Sequence, residues 1–172
     1  MEIKFPDALY CQIMEDLQRP HPFALERIGF VMGRMGTSDG QARFIMLTRY
    51  LPMPDDHYLN DPKVGARLGP DAMAAAMQAV YQGRAAKEGI FHIHLHDRRG
   101  EPLMSATDRA EIPLLIPGFQ AVGPNAAHGI IILSPNHGIG WVWPPRAGEP
   151  VQAETLSVIG TPVHVFMKGR VR

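Results

Sequence analysis

The sequence predicts a single α+β domain, or α/β sandwich, with mixed or antiparallel strands and two main helices. Three observations lead there. Helical and strand-type periodicities alternate along the chain in the order helix, strands, long helix, strand, short helix, strands. No repeat or low-complexity linker divides it. Its 172 residues suit one domain, and 45% hydrophobic with 20% charged residues is an ordinary globular balance.

Residues 7–19 place Leu9, Ile13, Met14 and Leu17 on one helical face, with Asp7 as the expected N-cap and Pro20-His21-Pro22 as the stop. Residues 27–34 and 42–50 read as strands joined by a turn around Thr37-Ser38-Asp39-Gly40, where Asp-Gly is a strong hairpin signal. Residues 52–69, with three prolines and several aspartates, read as a loop. Residues 70–88 form the clearest helix: Pro70-Asp71 opens it, an alanine-rich run follows, and Gly89 is expected to close it. Residues 90–96 alternate as a strand. Residues 106–116 read as a short helix stopped by Pro117-Gly118. Residues 129–134 and 139–143 are strands around Asn136-His137-Gly138, and a last strand falls within 155–167.

Lys+Arg and Asp+Glu are 17 each, so the chain lacks the basic excess of a nucleic-acid binder. Cys11 is the single cysteine, which excludes an internal disulfide and a cysteine-rich zinc site. The start Met1-Glu2-Ile3-Lys4-Phe5-Pro6 has no signal-peptide core, and no run of about 18 apolar residues predicts a membrane span. The expectation is a soluble, cytoplasmic protein with neither nucleic acid nor membrane as partner.

The chemistry concentrates in His92-Ile93-His94-Leu95-His96-Asp97. Strand residues two apart share a face, so the three imidazoles project together and two of them can converge on one metal ion. Zinc in a catalytic site takes neutral nitrogens and a third protein ligand; without a nearby cysteine, that ligand must be a carboxylate or another histidine. Ser105-Ala106-Thr107-Asp108 follows, a helix-capping pattern that also sets a hydroxyl and a carboxylate near the end of the histidine strand.

His94-x-His96, eight residues, Ser105-x-x-Asp108 resembles the signature of the JAB1/MPN/JAMM metalloproteases, whose pattern is H-x-H-P, seven residues, S-x-x-D with an upstream glutamate. Glu26-Arg27-Ile28-Gly29-Phe30-Val31-Met32-Gly33 resembles the family's E-x-x-G-x-x-x-G start of the first core strand. The alanine-rich helix and the 129–134 strand also fall where the family has a helix and a strand. The resemblance covers about residues 22–143 of the one domain, 1–172. Asp97 stands where the family has proline, and Leu95 where serine or threonine is common; His92 has no assigned role.

The resemblance implies a cytidine-deaminase-like JAB/MPN architecture, a mixed, mainly antiparallel curved sheet flanked by a long helix and a shorter one, and a zinc-dependent isopeptidase. His94, His96 and Asp108 would bind one Zn²⁺, Glu26 would be the general base and then the acid, and Ser105 would hydrogen-bond the oxyanion. It also implies the substrate, a ubiquitin-like protein or its conjugate joined through a C-terminal tail of small residues, with E1-like and E2-like enzymes as possible members of the same pathway, as in bacterial and archaeal relatives. The alternative is a processing protease for a ubiquitin-like or sulfur-carrier precursor; a noncatalytic MPN-type scaffold is a third reading, disfavoured because the ligands and the glutamate are all in place. Such a tail is expected to add as a strand beside the site.

Overall fold

A computed structural model of the chain describes residues 1–22, 24–38, 41–61 and 65–167, with the side chains at 38 and 41–43 outside that description. Strand β1 (Glu2–Pro6) leads directly into helix α1 (Asp7–Leu17). Strands β2 (Ile28–Ser38) and β3 (Gln41–Pro52) pair antiparallel, and helix α2 (Pro70–Gly83) precedes β4 (Glu88–Leu95). Helix α3 (Ala106–Val122) crosses over to β5 (His128–Ser134), followed by β6 (His137–Trp143), β7 (Val151–Gln152), β8 (Thr155–Ile159) and β9 (His164–Met167).

The described strands form one sheet in the order β7-β6-β5-β4-β2-β3-β1-β8-β9. Most neighbours run antiparallel; β1 is parallel to both β3 and β8, and β4 is parallel to β5. The sheet curls until β6 approaches β1, and a Cβ at Gly140 would lie 2.6 Å from Ile3 Cδ1. Only a residue without a side chain permits that approach.

Two cores lie on opposite faces of the sheet. On one, Leu9, Ile13 and Leu17 of α1 pack against Ile3, Val31, Phe91, Ile93, Ile131 and Leu156. Each such aliphatic side chain contributes about 1.5–3 kcal/mol through burial. On the other, α2 and α3 cover Phe30, Met32, Ile90, Ile130 and Ile132. The alternation along β4 sends Phe91, Ile93 and Leu95 to the first core and Ile90, with the histidines, to the second. Cys11, on the outer side of α1, is exposed. No described helix is long and apolar enough to cross a membrane.

Several sequence expectations need correction. Pro6, not Asp7, is the N-cap of α1, and Asp7 sits in the first turn without a side-chain cap bond. Helix α2 ends at Gly83, not 88; a one-turn 3-10 helix (84–86) follows, and Lys87 turns the chain with φ of 53°. Gly89 is not a helix stop. It lies in β4, where the Ala127 carbonyl occupies the space a Cβ would need. The expected Asp39-Gly40 turn lies outside the described residues.

The described residues of the segment 52–69 hold a one-turn helix (55–57) and an isolated bridge between Tyr58 and Leu68. The last region holds two strands, and β1 adds another that the alternation Glu2, Ile3, Lys4, Phe5 encodes. The largest departure is α3, which continues through Pro113 and Pro117 to Val122. A helix-interior proline costs about 3 kcal/mol in an exposed host. Here the two prolines are one turn apart on the exposed side of the helix, where water can reach the backbone. Ile112, Ile116 and Phe119 bury the opposite side against the sheet.

Candidate metal centre

The centre forms where β4 ends and α3 begins, on the face covered by α2 and α3. His94 is 2% exposed and His92 7%; His96, just beyond the strand, is half-buried. The Nε2 atoms of His94 and His96 are 3.1 Å apart, and Asp108 Oδ1 is 3.5 Å from His94 Nε2. Ligand atoms at the usual zinc distances on a tetrahedral ion are about 3.3–3.4 Å from one another. The two measured separations bracket that value.

The capping pattern at the start of α3 is a full reciprocal box. The Ser105 Oγ accepts from the Asp108 N–H at 3.0 Å, and Asp108 Oδ2 accepts from the Ser105 N–H at 2.7 Å. One carboxylate oxygen is therefore tied to the helix start while the other faces His94. The cap and the candidate ligand are the same side chain.

Glu26 arrives from the segment leading into β2. The antiparallel register pairs Ile28 with His94, and carried two residues further it sets Glu26 opposite His96. One carboxylate oxygen of Glu26 and one ring nitrogen each of His94 and His96 all lie within 4.8 Å of one another. Asp108 is not part of that set. The described structure thus brings Glu26, His96 and Asp108 around His94, with Ser105 beside them, and it is Glu26 rather than Asp108 that lies within 4.8 Å of both imidazoles.

What holds Glu26 is invisible in the local sequence. The N–H groups of Leu25 and Glu26 both donate to the Gly65 carbonyl, at 2.7 and 3.0 Å. The Tyr58 hydroxyl accepts from the Ile28 N–H at 2.8 Å and donates to the Ile28 carbonyl at 2.9 Å. Arg27, 2% exposed, points the other way: it donates to the carbonyls of Arg19 and Pro20, both at 2.9 Å, and pairs with Asp55 at 2.8 Å. The segment read as a loop grips residues 25–28 from two sides.

The environments push the titrating groups apart. Burial, chiefly, holds His94 down to about 3 and His92 down to about 4, so both are neutral near pH 7, as metal ligation requires. Burial also raises the Glu26 carboxyl; His96 opposes this, while Asp108 and Asp97 add to it. Burial pulls Asp108 upward as well, but His94 and the hydrogen bonds from Ser105 outweigh it and leave that carboxyl below its usual range. Two carboxylates side by side with opposite shifts are suited to different roles.

The donors around His94 suit a zinc ion: a buried imidazole, a second imidazole nitrogen at 3.1 Å and a carboxylate oxygen of the helix cap at 3.5 Å, while the set whose ligand atoms all lie within 4.8 Å of one another has Glu26 in place of Asp108. His94 Nδ1, by contrast, is buried without a hydrogen-bond partner among the described residues, whereas a metal-bound imidazole usually donates that N–H to a carboxylate or carbonyl. His92 lies edge-on to Phe30, ring centroids 5.7 Å apart, and 5.3 Å from the His94 ring. Asp97 is exposed. Strand β4 is bonded on both sides, to β2 and β5, so a substrate strand must pair elsewhere. Compared with protein-family models and with curated proteins, the chain matches none.

Proposed function

We propose that this chain is a zinc-dependent peptidase or isopeptidase of the JAB1/MPN/JAMM type that cleaves an amide at the C-terminal tail of a ubiquitin-like protein. The observation that carries the reading is that His94 Nε2 lies 3.1 Å from His96 Nε2 and 3.5 Å from Asp108 Oδ1, with the Glu26 carboxylate beside both imidazoles. The sheet with α2 and α3 on one face is what we take for the JAB/MPN arrangement, and the substrate class rests on the motif resemblance.

His94, His96 and Asp108 would hold the ion. Bound zinc would supply Lewis acidity and lower the pKa of a water toward about 7. Glu26 then has the proton-handling role: its burial raises its affinity for a proton, and it stands beside the ligating nitrogens. It accepts the proton of the attacking water and returns it to the amine as the C–N bond breaks. Ser105 uses its oxygen to accept from the Asp108 N–H, which leaves its own O–H to donate to the developing oxyanion.

The test is metal content and hydrolysis together. The wild-type chain should carry about one zinc, and His94→Ala and Asp108→Ala should lose it. Glu26→Gln should keep zinc while turnover of a modifier-to-protein fusion falls about 10²–10⁴-fold. A chelator should abolish cleavage and Zn²⁺ restore it. Full zinc in both ligand variants, or full turnover in Glu26→Gln, overturns the assignment.

A further inference from the structure

Next to the metal centre, on the same face of the sheet, lies a second cavity of about 180 Å³ whose walls include Phe30, Leu68, Met73 and Leu115. Ile28, His92 and Glu111 line both this cavity and the one at the centre, so the two share a wall. We propose that the apolar cavity is a side-chain subsite of the centre, taking a leucine-, methionine- or phenylalanine-sized apolar side chain of a peptide substrate within two residues of the scissile amide. This rests on the hydrolase reading above.

Size comes first. An apolar cavity of about 150 Å³ accommodates benzene, so this one has room for a branched aliphatic or aromatic side chain. Glycine or alanine would leave it largely empty.

Distance comes second. His92 and His94 are two residues apart on β4, about 6.6–6.8 Å along a strand. An extended peptide repeats its same-face side chains at that interval. A peptide with its scissile amide over His94 and His96 therefore carries a side chain to His92, at the cavity, one or two residues away. Small residues at the amide itself and an apolar residue beyond them are compatible in one tail.

The surroundings supply the third argument. Isolated exposed leucines are ordinary, but three of them sit on the segments that build this centre: Leu25, 81% exposed, beside Glu26; Leu103, 78%, just before Ser105; and Leu114, 77%, on the wall of the cavity itself. Leu114 thus extends the apolar lining of the cavity out to solvent, where an arriving side chain first meets it. Arg67 and Glu111 also line the cavity and give an arriving backbone polar partners.

The test uses zinc-loaded Glu26→Gln protein, which should bind without turning over, and peptides with a central Gly-Gly flanked by leucine, aspartate or glycine. Methyl ¹³C spectra of the methionines report on Met73. The leucine peptide should shift the Met73 methyl and bind at least about tenfold more tightly than the glycine peptide, the scale of one buried aliphatic group. Leu115→Trp should fill the cavity and erase the preference. Leu114→Asp, at an exposed position that does not burden folding, should reduce it. An unmoved Met73 signal, or an intact leucine preference in both variants, overturns the subsite. Leucine-selective binding in a chain that hydrolyses nothing would leave the subsite standing and sink the hydrolase; hydrolysis indifferent to leucine would do the reverse.

Discussion

Gly65→Ala isolates the placement of Glu26 from everything else in the protein. A Cβ at position 65 would lie 2.9 Å from both Glu26 Cδ and Oε2, against an ordinary contact of about 3.4–4 Å between such atoms. The backbone at 65 has no left-handed φ to protect, so alanine is accommodated by the chain itself. The carboxylate, at the free end of a flexible side chain, gives way by about 0.5–1 Å. Folding should be unharmed or gain about 0.4–1 kcal/mol from the stiffer unfolded chain. Catalysis is less tolerant: a base must reach its proton within about 2.6–3.2 Å, and a 1 Å misplacement can cost about 10²-fold. The variant should therefore keep its unfolding midpoint and its zinc, and lose about 10²-fold in kcat with KM little changed. Steady-state kinetics on a modifier fusion, metal analysis and a urea melt of the same preparation read all three. Wild-type kcat in a folded, zinc-loaded Gly65→Ala would show that the position of Glu26 does not matter, and the proton-transfer role would fall with it.

Ser105→Ala should cost about 1 kcal/mol of stability through the lost cap and about 10²-fold in rate, whereas Ser105→Thr should restore the melt and part of the rate; equal loss in both would separate the cap from the chemistry. Tyr58→Phe leaves the buried Ile28 N–H without its 2.8 Å acceptor, and a urea melt should register about 1–3 kcal/mol; no change would mean that this hydroxyl does not secure the segment bearing Glu26. The metal-free protein should weaken in acid. His92, His94 and His128 all have folded pKa values lowered by burial, so below the unfolded value of 6.5 the unfolded chain takes up protons that the folded chain refuses. Stability is full above that pH and falls toward about 4 by about 1.4 kcal/mol per pH unit for each of His92 and His94, with His128 adding in the same direction. Glu26 and Glu111, whose carboxyls burial raises, oppose this. Urea midpoints that stay flat from pH 7 to 5 would refute it.

How much of this was legible depended on whether the cause was local. The alanine run of α2 and the alternation of β4 are local signals strong enough to survive folding, and so is the spacing of His94, His96, Ser105 and Asp108. The alternation in Glu2–Pro6 was equally legible, yet its strand pairs with β3 and β8, distant segments that no window contains. In α3 the local signal misled: Pro113 and Pro117 argue for an early stop, but the burial of Ile112, Ile116 and Phe119 carries the helix past both. The support of Glu26 was unreadable in principle. Gly65, Tyr58 and the Arg27–Asp55 pair reach it across 28 to 39 residues of chain, and only the folded path of the segment after β3 makes them neighbours.

Because the sheet separates the two cores, the outer side of α1 is the back of the molecule with respect to the metal centre. That is where Cys11 is exposed, and the chain has a single cysteine. A maleimide dye or a solid support attached there would join at one defined point and leave the front open to a bulky protein substrate. The natural sequence therefore already carries a handle for tethered single-turnover or energy-transfer measurements, with no engineered thiol to introduce and none to remove.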